Sequence, residues 1–169
     1  MIKKKIAILL PYKENYSESY AGAASIWVKD YLSSSKLKSI TNVYGNLKRN
    51  LRPLTSNFIN IDISGKIIRK NIKYTEILYT DCLKKKYSII EIHNRPESLL
   101  FLIKKKINSK LTFIFHNNPK DMRGSTSVNE RLFIAENCDQ VYFVSKWVKD
   151  KFFENLPYKN RNNCEILYP

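Results

Sequence analysis

Short apolar runs alternating with longer amphipathic stretches constrain this chain more than any other feature. Residues 6–10 form a nearly continuous apolar run stopped by Pro11, the pattern of a strand buried on both faces. A helix is expected over residues 22–32, carrying Ile26, Trp27, Val28 and Tyr31, and a short strand over residues 42–44. The stretch 58–63 alternates with period two, and Ser64-Gly65 supplies a turn before Lys66-Ile67-Ile68-Arg69. A hairpin or an edge excursion is therefore expected there. Beyond it the spacing predicts a helix over 73–86, with Ile77, Leu78 and Leu83 at helical positions. Strands at 88–92, 111–115, 140–144 and 165–167 then alternate with helices at 96–106, 128–137 and 146–155. Such strict alternation implies right-handed crossovers and an α/β fold, a Rossmann-like parallel sheet with helices on both faces.

A length of 169 residues suits one domain and is enough to bury a core without metal or disulfide staples. Hydrophobic residues make up 43% and charged residues 27%, which is globular composition and not that of a disordered chain. The cysteines Cys82, Cys138 and Cys164 are scattered and odd in number, so free thiols in a reducing compartment are expected. The apolar run behind Met1-Ile2-Lys3-Lys4-Lys5 is too short for a secretory core. No later run approaches the ~18–20 apolar residues of a membrane span. A cytoplasmic protein is expected, at most peripheral on a membrane.

The net charge of +15 fits nucleic acid, an anionic membrane or simply a lysine-rich background. Placement narrows this. Lys3-Lys4-Lys5, Lys84-Lys85-Lys86 and Lys104-Lys105-Lys106 each precede an expected strand, on the amino-terminal edge of the sheet. Two of the triplets end helices, where cations offset the macrodipole. Lys48-Arg49-Asn50-Leu51-Arg52 instead follows a strand, on the opposite edge, and is the candidate for membrane or acceptor-phosphate contact. A nucleic-acid partner is not expected, because no helix-turn-helix, zinc-finger or RNP-like pattern occurs.

Two strands end alike. Ile89-Ile90-Glu91-Ile92 runs into His93-Asn94-Arg95-Pro96, and Phe113-Ile114-Phe115 runs into His116-Asn117-Asn118-Pro119. In a parallel sheet all carboxyl ends share one edge, where open α/β folds bind ligands. Asn94, Asn118, Pro96 and Pro119 are explained by turn chemistry alone. The imidazoles of His93 and His116, the chain's two histidines, are not, and each is either a ligand contact or a buried, hydrogen-bonded group.

Gly22, before the first helix, would let backbone amides approach a phosphate, or is an ordinary loop glycine. Neither G-x-G-x-x-G nor a Walker motif occurs. Ser145 reads as a helix cap before it reads as a nucleophile. Arg123, in a loop beside His116, either grips an anionic group or is solvated. Glu130-Arg131 is expected to have a plain surface role on its helix. No carboxylate pair suited to a hydrolase and no acidic or histidine cluster suited to a metal is evident at the strand ends.

Together these segments resemble the amino-terminal domain of family-four glycosyltransferases, which have the GT-B fold. The residues carrying the resemblance are Leu10-Pro11 with Gly22-Ala23, His93-Asn94-Arg95-Pro96, and His116-Asn117-Asn118-Pro119 through Arg123-Gly124-Ser125. Glu130-Arg131, Cys138-Asp139, Val144-Ser145-Lys146-Trp147-Val148 and Glu165-Ile166-Leu167-Tyr168-Pro169 complete it. The resemblance implies retaining transfer from a nucleotide-sugar to a glycan or lipid-linked acceptor, with no other cofactor and no metal. It makes His116 the catalytic candidate, lying against the donor sugar, and Gly22, His93, Asn117, Arg123 and Ser145 the substrate-binding candidates. It also implies a carboxyl-terminal donor-binding domain, or a partner subunit, not contained in residues 1–169. The double glycine common in such first loops is reduced here to Gly22.

Overall fold

The computed structural model describes residues 4–63 and 69–168. The elements run β1 (Ile6–Leu9), α1 (Ala23–Ser34), β2 (Thr41–Gly45), β3 (Phe58–Asn60), α2 (Lys70–Lys85), β4 (Ile89–His93) and α3 (Pro96–Lys104). They continue with β5 (Lys110–Phe115), α4 (Val128–Asn137), β6 (Gln140–Phe143), α5 (Lys146–Phe153) and β7 (Cys164–Ile166). Single 3-10 turns occupy Lys38–Ile40 and Pro119–Asp121. All neighbouring strands pair parallel, in the order β3-β2-β1-β4-β5-β6-β7. This is the doubly wound α/β arrangement expected, and its order reverses between β1 and β4. There the adjoining loops diverge and leave a crevice at the carboxyl ends of the strands.

Period-two alternation sorts the strand side chains between two faces of unequal cover. Ala7, Leu9, Ile90, Ile92, Phe113, Phe115, Val141 and Phe143 belong to one core, with Leu78 of α2, Leu99 of α3, Ile134 of α4 and Phe152 of α5. Ile6, Ile8 and Val43 face the other way and meet Ala24, Val28 and Leu32 of α1. Among the described helices α1 alone contributes buried residues to this second core, with Tyr16 and Leu54 of the flanking loops packed beside it.

Several local expectations are narrowed or corrected. Of the two alternatives for this stretch, Phe58–Asn60 takes the edge one: among the described residues it is the edge strand of the sheet and pairs in parallel with β2. The expected turn and the first residues of its return limb, 64–68, lie outside the described residues, and Arg69 precedes α2 in the left-handed region at φ 58°. In α2 the buried stripe is Tyr74, Thr75, Leu78 and Cys82, while Ile77 and Leu83 are exposed. A helix can bury only one side, and here the aromatic Tyr74 outweighs the two aliphatics in choosing it.

Arg131 is not a surface residue: it is buried, and its guanidinium donates to the carbonyls of Phe152, Ser125, Thr126 and Glu154. That fork ties α4 to the end of α5. Glu130 instead closes a capping box with Ser127. The lysine runs fall as expected, with Lys84 and Lys85 in the last turn of α2 and Lys104 in the last turn of α3. The three cysteines are free and buried.

Candidate active site

β4 and β5 deliver both histidines to the carboxyl edge, one as the last residue of its strand and the other just past its end. The turn behind them arises from asparagine chemistry. Asn94 adopts φ 51°, a left-handed conformation that Asn tolerates, and its Oδ1 accepts from the His116 backbone N–H at 2.8 Å. Pro96 then opens α3, and Asn118 caps the Pro119 turn by accepting from Lys120 N–H. The two H-N-x-P segments thus build different turns, joined by the Asn94 side chain, that hold the imidazoles side by side.

His93 is completely buried, with Nδ1 2.8 Å from His116 Nε2 and Nε2 2.8 Å from Glu91 Oε1. The two rings lie within 28° of coplanarity, which suits an in-plane hydrogen bond between them. Trp27 of α1 packs against both, 5.5 Å from the His93 ring and 6.0 Å from the His116 ring, the latter nearly edge-on. Burial, and secondarily the neighbouring His93, hold the pKa of His116 down at about 3, so this ring is neutral at physiological pH.

His116 and Asn117 open onto a cavity of about 780 Å3 on the sparsely covered face of the sheet. Its walls are Ile26, Trp27 and Tyr31 on one side and Val144, Leu167 and Tyr168 on the other. Ile26 and Tyr31 are therefore wall residues of the cavity, while Val28 alone of the expected α1 set is core.

The remaining candidates stand apart from it. Arg123 is mostly exposed and pairs with Glu97 at 3.0 Å, beside a smaller, polar cleft of about 210 Å3 that also holds Lys13 and Arg95. The Ser145 hydroxyl accepts from Val148 N–H as the cap of α5. Gly22 precedes α1, but the helix N-terminus there is already occupied. Glu14 Oε2 accepts from Ser25 N–H at 2.9 Å and from its hydroxyl at 2.8 Å, and a Cβ on Gly22 would meet the Glu14 side chain at 2.7 Å. The glycine makes room for a carboxylate of the chain itself, and a phosphate bound at this spot would have to displace Glu14.

Sequence pattern alone does not mark Glu91, Trp27 and Glu14 as site residues. Glu91 carries a usable signal: it is the one acid in an isoleucine-rich strand and lies two residues before His93, on the same face. Trp27 reads as ordinary helix core until the partial cover of its face is known. Among the described residues there is no cluster of acidic, histidine and cysteine side chains able to hold a metal ion.

No protein-family model matches the chain, and no curated protein sequence matches it. Solved structures do. Sucrose-phosphate synthase from Thermosynechococcus elongatus aligns over 98% of this chain with a TM-score of 0.64 at 16% identity. This chain spans 48% of that one, about half its length. A shorter chain of the same synthase aligns over 98% of this chain and 89% of its own, with a TM-score of 0.63 and 13% identity. A protein described as a UDP-N-acetylglucosamine 2-epimerase from Listeria monocytogenes aligns over 96% of this chain and 44% of its own, with a TM-score of 0.54 and 9% identity. The fold is that of a Rossmann-like domain of the GT-B type, as seen in glycosyltransferase structures.

Proposed function

We propose that this chain is the acceptor-side half of a glycosyltransferase that moves a sugar from a nucleotide-sugar to a glycan or lipid-linked acceptor, with retention. The observation carrying the proposal is the His93–His116 pair at the carboxyl edge, with His116 opening onto a cavity walled by Trp27, Tyr31 and Tyr168. Aromatic walls offer flat apolar faces to sugar C–H groups, and a few convergent polar groups fix orientation. His116 is the residue placed against the transferred sugar, with Asn117 at the same cavity mouth. The likeness to sucrose-phosphate synthase and to the epimerase supports a nucleotide-sugar as the donor class.

The donor nucleotide belongs, in this reading, to a second domain or a partner subunit, so the chain alone is inactive. Gly22, Arg123 and Ser145 keep only outlying roles: Arg123, in its polar cleft, is suited to an anionic group of the acceptor or donor. Lys48, Arg49 and Arg52 are at the carboxyl edge, where Lys48 lies over the exposed ring of Tyr20. They are the proposed contact with an anionic membrane surface, on its cytoplasmic side. A non-catalytic subunit working with a separate donor-binding chain is the second reading.

Saturation-transfer NMR with UDP-glucose, UDP-N-acetylglucosamine and free UDP tests the proposal. Transfer to sugar-ring protons, with little to the uracil and loss of signal in His116→Ala, is the expected result. Transfer confined to the uracil, or from none of the three, removes the sugar site from this face.

A further inference from the structure

Hydrogens have one consistent placement through the Glu91–His93–His116 chain. A carboxylate accepts and does not donate, so the 2.8 Å contact to Glu91 Oε1 puts the hydrogen on His93 Nε2. A neutral ring protonated there carries its lone pair on Nδ1. The 2.8 Å contact between that atom and His116 Nε2 then requires the hydrogen on His116 Nε2. This leaves the lone pair of His116 on Nδ1, which has no partner among the described residues, on a side chain that lines the cavity.

The alternatives are worse. With the hydrogen on His93 Nδ1, a lone pair would face a carboxylate oxygen at 2.8 Å inside the protein, leaving two buried acceptors opposed. Protonating His93 at both nitrogens would keep both contacts and reverse the His116 tautomer, but it would make a buried ion pair with Glu91 on a completely buried ring, where the desolvation of both charges offsets their attraction.

We infer that Glu91, acting through His93, is a positioning residue that holds His116 as its Nε2–H tautomer, so that Nδ1 meets the ligand as a hydrogen-bond acceptor. On a sugar the group seated there is then a hydroxyl or an amide N–H, which donates, and not the unprotonated oxygen of a phosphate ester or carboxylate, whose lone pairs would oppose Nδ1. This deepens the nucleotide-sugar reading and rests on it only for which hydroxyl or amide is involved. The tautomer is set by the protein's own atoms.

Long-range proton–nitrogen NMR of the 15N-labelled chain reads the tautomers directly, and with two histidines His116→Gln assigns both rings. At neutral pH both Nε2 atoms should be protonated and both Nδ1 atoms unprotonated. A His116 hydrogen on Nδ1 overturns the inference in the unmodified chain, whether or not any variant folds. Glu91→Leu, with its helical circular dichroism unchanged, should replace the single His116 tautomer by a mixture; an unaltered imidazole pattern also overturns the inference. Titration separates the ligand claims. UDP-glucose should move the His116 Nδ1 signal while inorganic sulfate, which carries no O–H at neutral pH, should not at equal concentration. A shift with sulfate contradicts the selection of a hydrogen-bond donor. Both tautomers in place with no response to UDP-glucose supports the positioning role and counts against the proposed function.

Discussion

The two faces of the sheet are finished in opposite ways. Under α2 to α5 the layer is a continuous apolar core in which the rings of Phe115, Phe143 and Phe152 pack with centroids 5.1–5.7 Å apart, with the buried Arg131 fork tying α4 to the end of α5. Under α1 the core is small, and beyond it an imidazole and an indole line an open cavity, backed by the buried His93 and its Glu91 carboxylate. Packing density and polar chemistry are segregated by face. The contrast teaches that one face acts as scaffold and leaves the other free to carry a site. Residues that hold the fold and residues that meet a ligand can therefore be changed separately.

Substitutions should divide along the same line. The largest expected effect is on the packed face, where Phe143→Ala should cost about 3–5 kcal/mol of stability by cavity formation and lost transfer energy. Urea unfolding measures it, and a loss below about 1 kcal/mol would mean that the aromatic layer is not the scaffold. Arg131→Met should cost about 2–4 kcal/mol, because removing the fork leaves buried carbonyls without donors. On the open face, Trp27→Ala should cost less, about 1–2 kcal/mol, since its ring is only partly buried. It should nonetheless abolish sugar signals in saturation-transfer spectra.

Two smaller effects sharpen the comparison. The folded pKa of His116, near 3, lies below the ordinary value of 6.5, so in that window the unfolded chain binds a proton that the folded chain does not. Its contribution to stability is complete above pH 6.5 and is lost as pH falls toward 3, by at most about 1.4 kcal/mol per pH unit. Urea midpoints at pH 7 and pH 5 should therefore differ less in His116→Gln than in the parent chain; equal differences would mean that the ring is not desolvated. The smallest effect concerns Glu14. Glu14→Ala should lower stability by about 0.5–1 kcal/mol through the lost cap of α1, yet increase protection by inorganic phosphate in thermal unfolding. No gain in phosphate protection would show that the helix end is not an anion site even when vacated.

Much of the scaffold is legible in the sequence because it obeys short-range rules. Short apolar runs mark the strands, and H-N-x-P turns and apolar helical stripes supply the punctuation between them. The carboxyl-edge position of His93 and His116 is fixed once the sheet is taken as parallel. Legibility fails where burial is decided by distant partners. Arg131 looks like a surface residue until the carbonyls of Phe152 and Glu154 are brought to it from elsewhere in the chain. Phe58–Asn60 leaves a hairpin and an edge excursion open because both share one alternation, and its partner in the sheet, β2, is a distant stretch of chain. Glu14 gives no local signal because its partner, Ser25, lies eleven positions away across an irregular loop.

The central claim, that the α1 face is the ligand face and the other its scaffold, is tested most directly by nitrogen–proton correlation spectra recorded during titration with UDP-glucose. The account predicts perturbations gathered at the Trp27 indole, His116, Asn117 and Val144, with the amides of α3 and α4 unmoved. Perturbations confined to Arg95 and Arg123 in the polar cleft, or to residues 48–52, would contradict it.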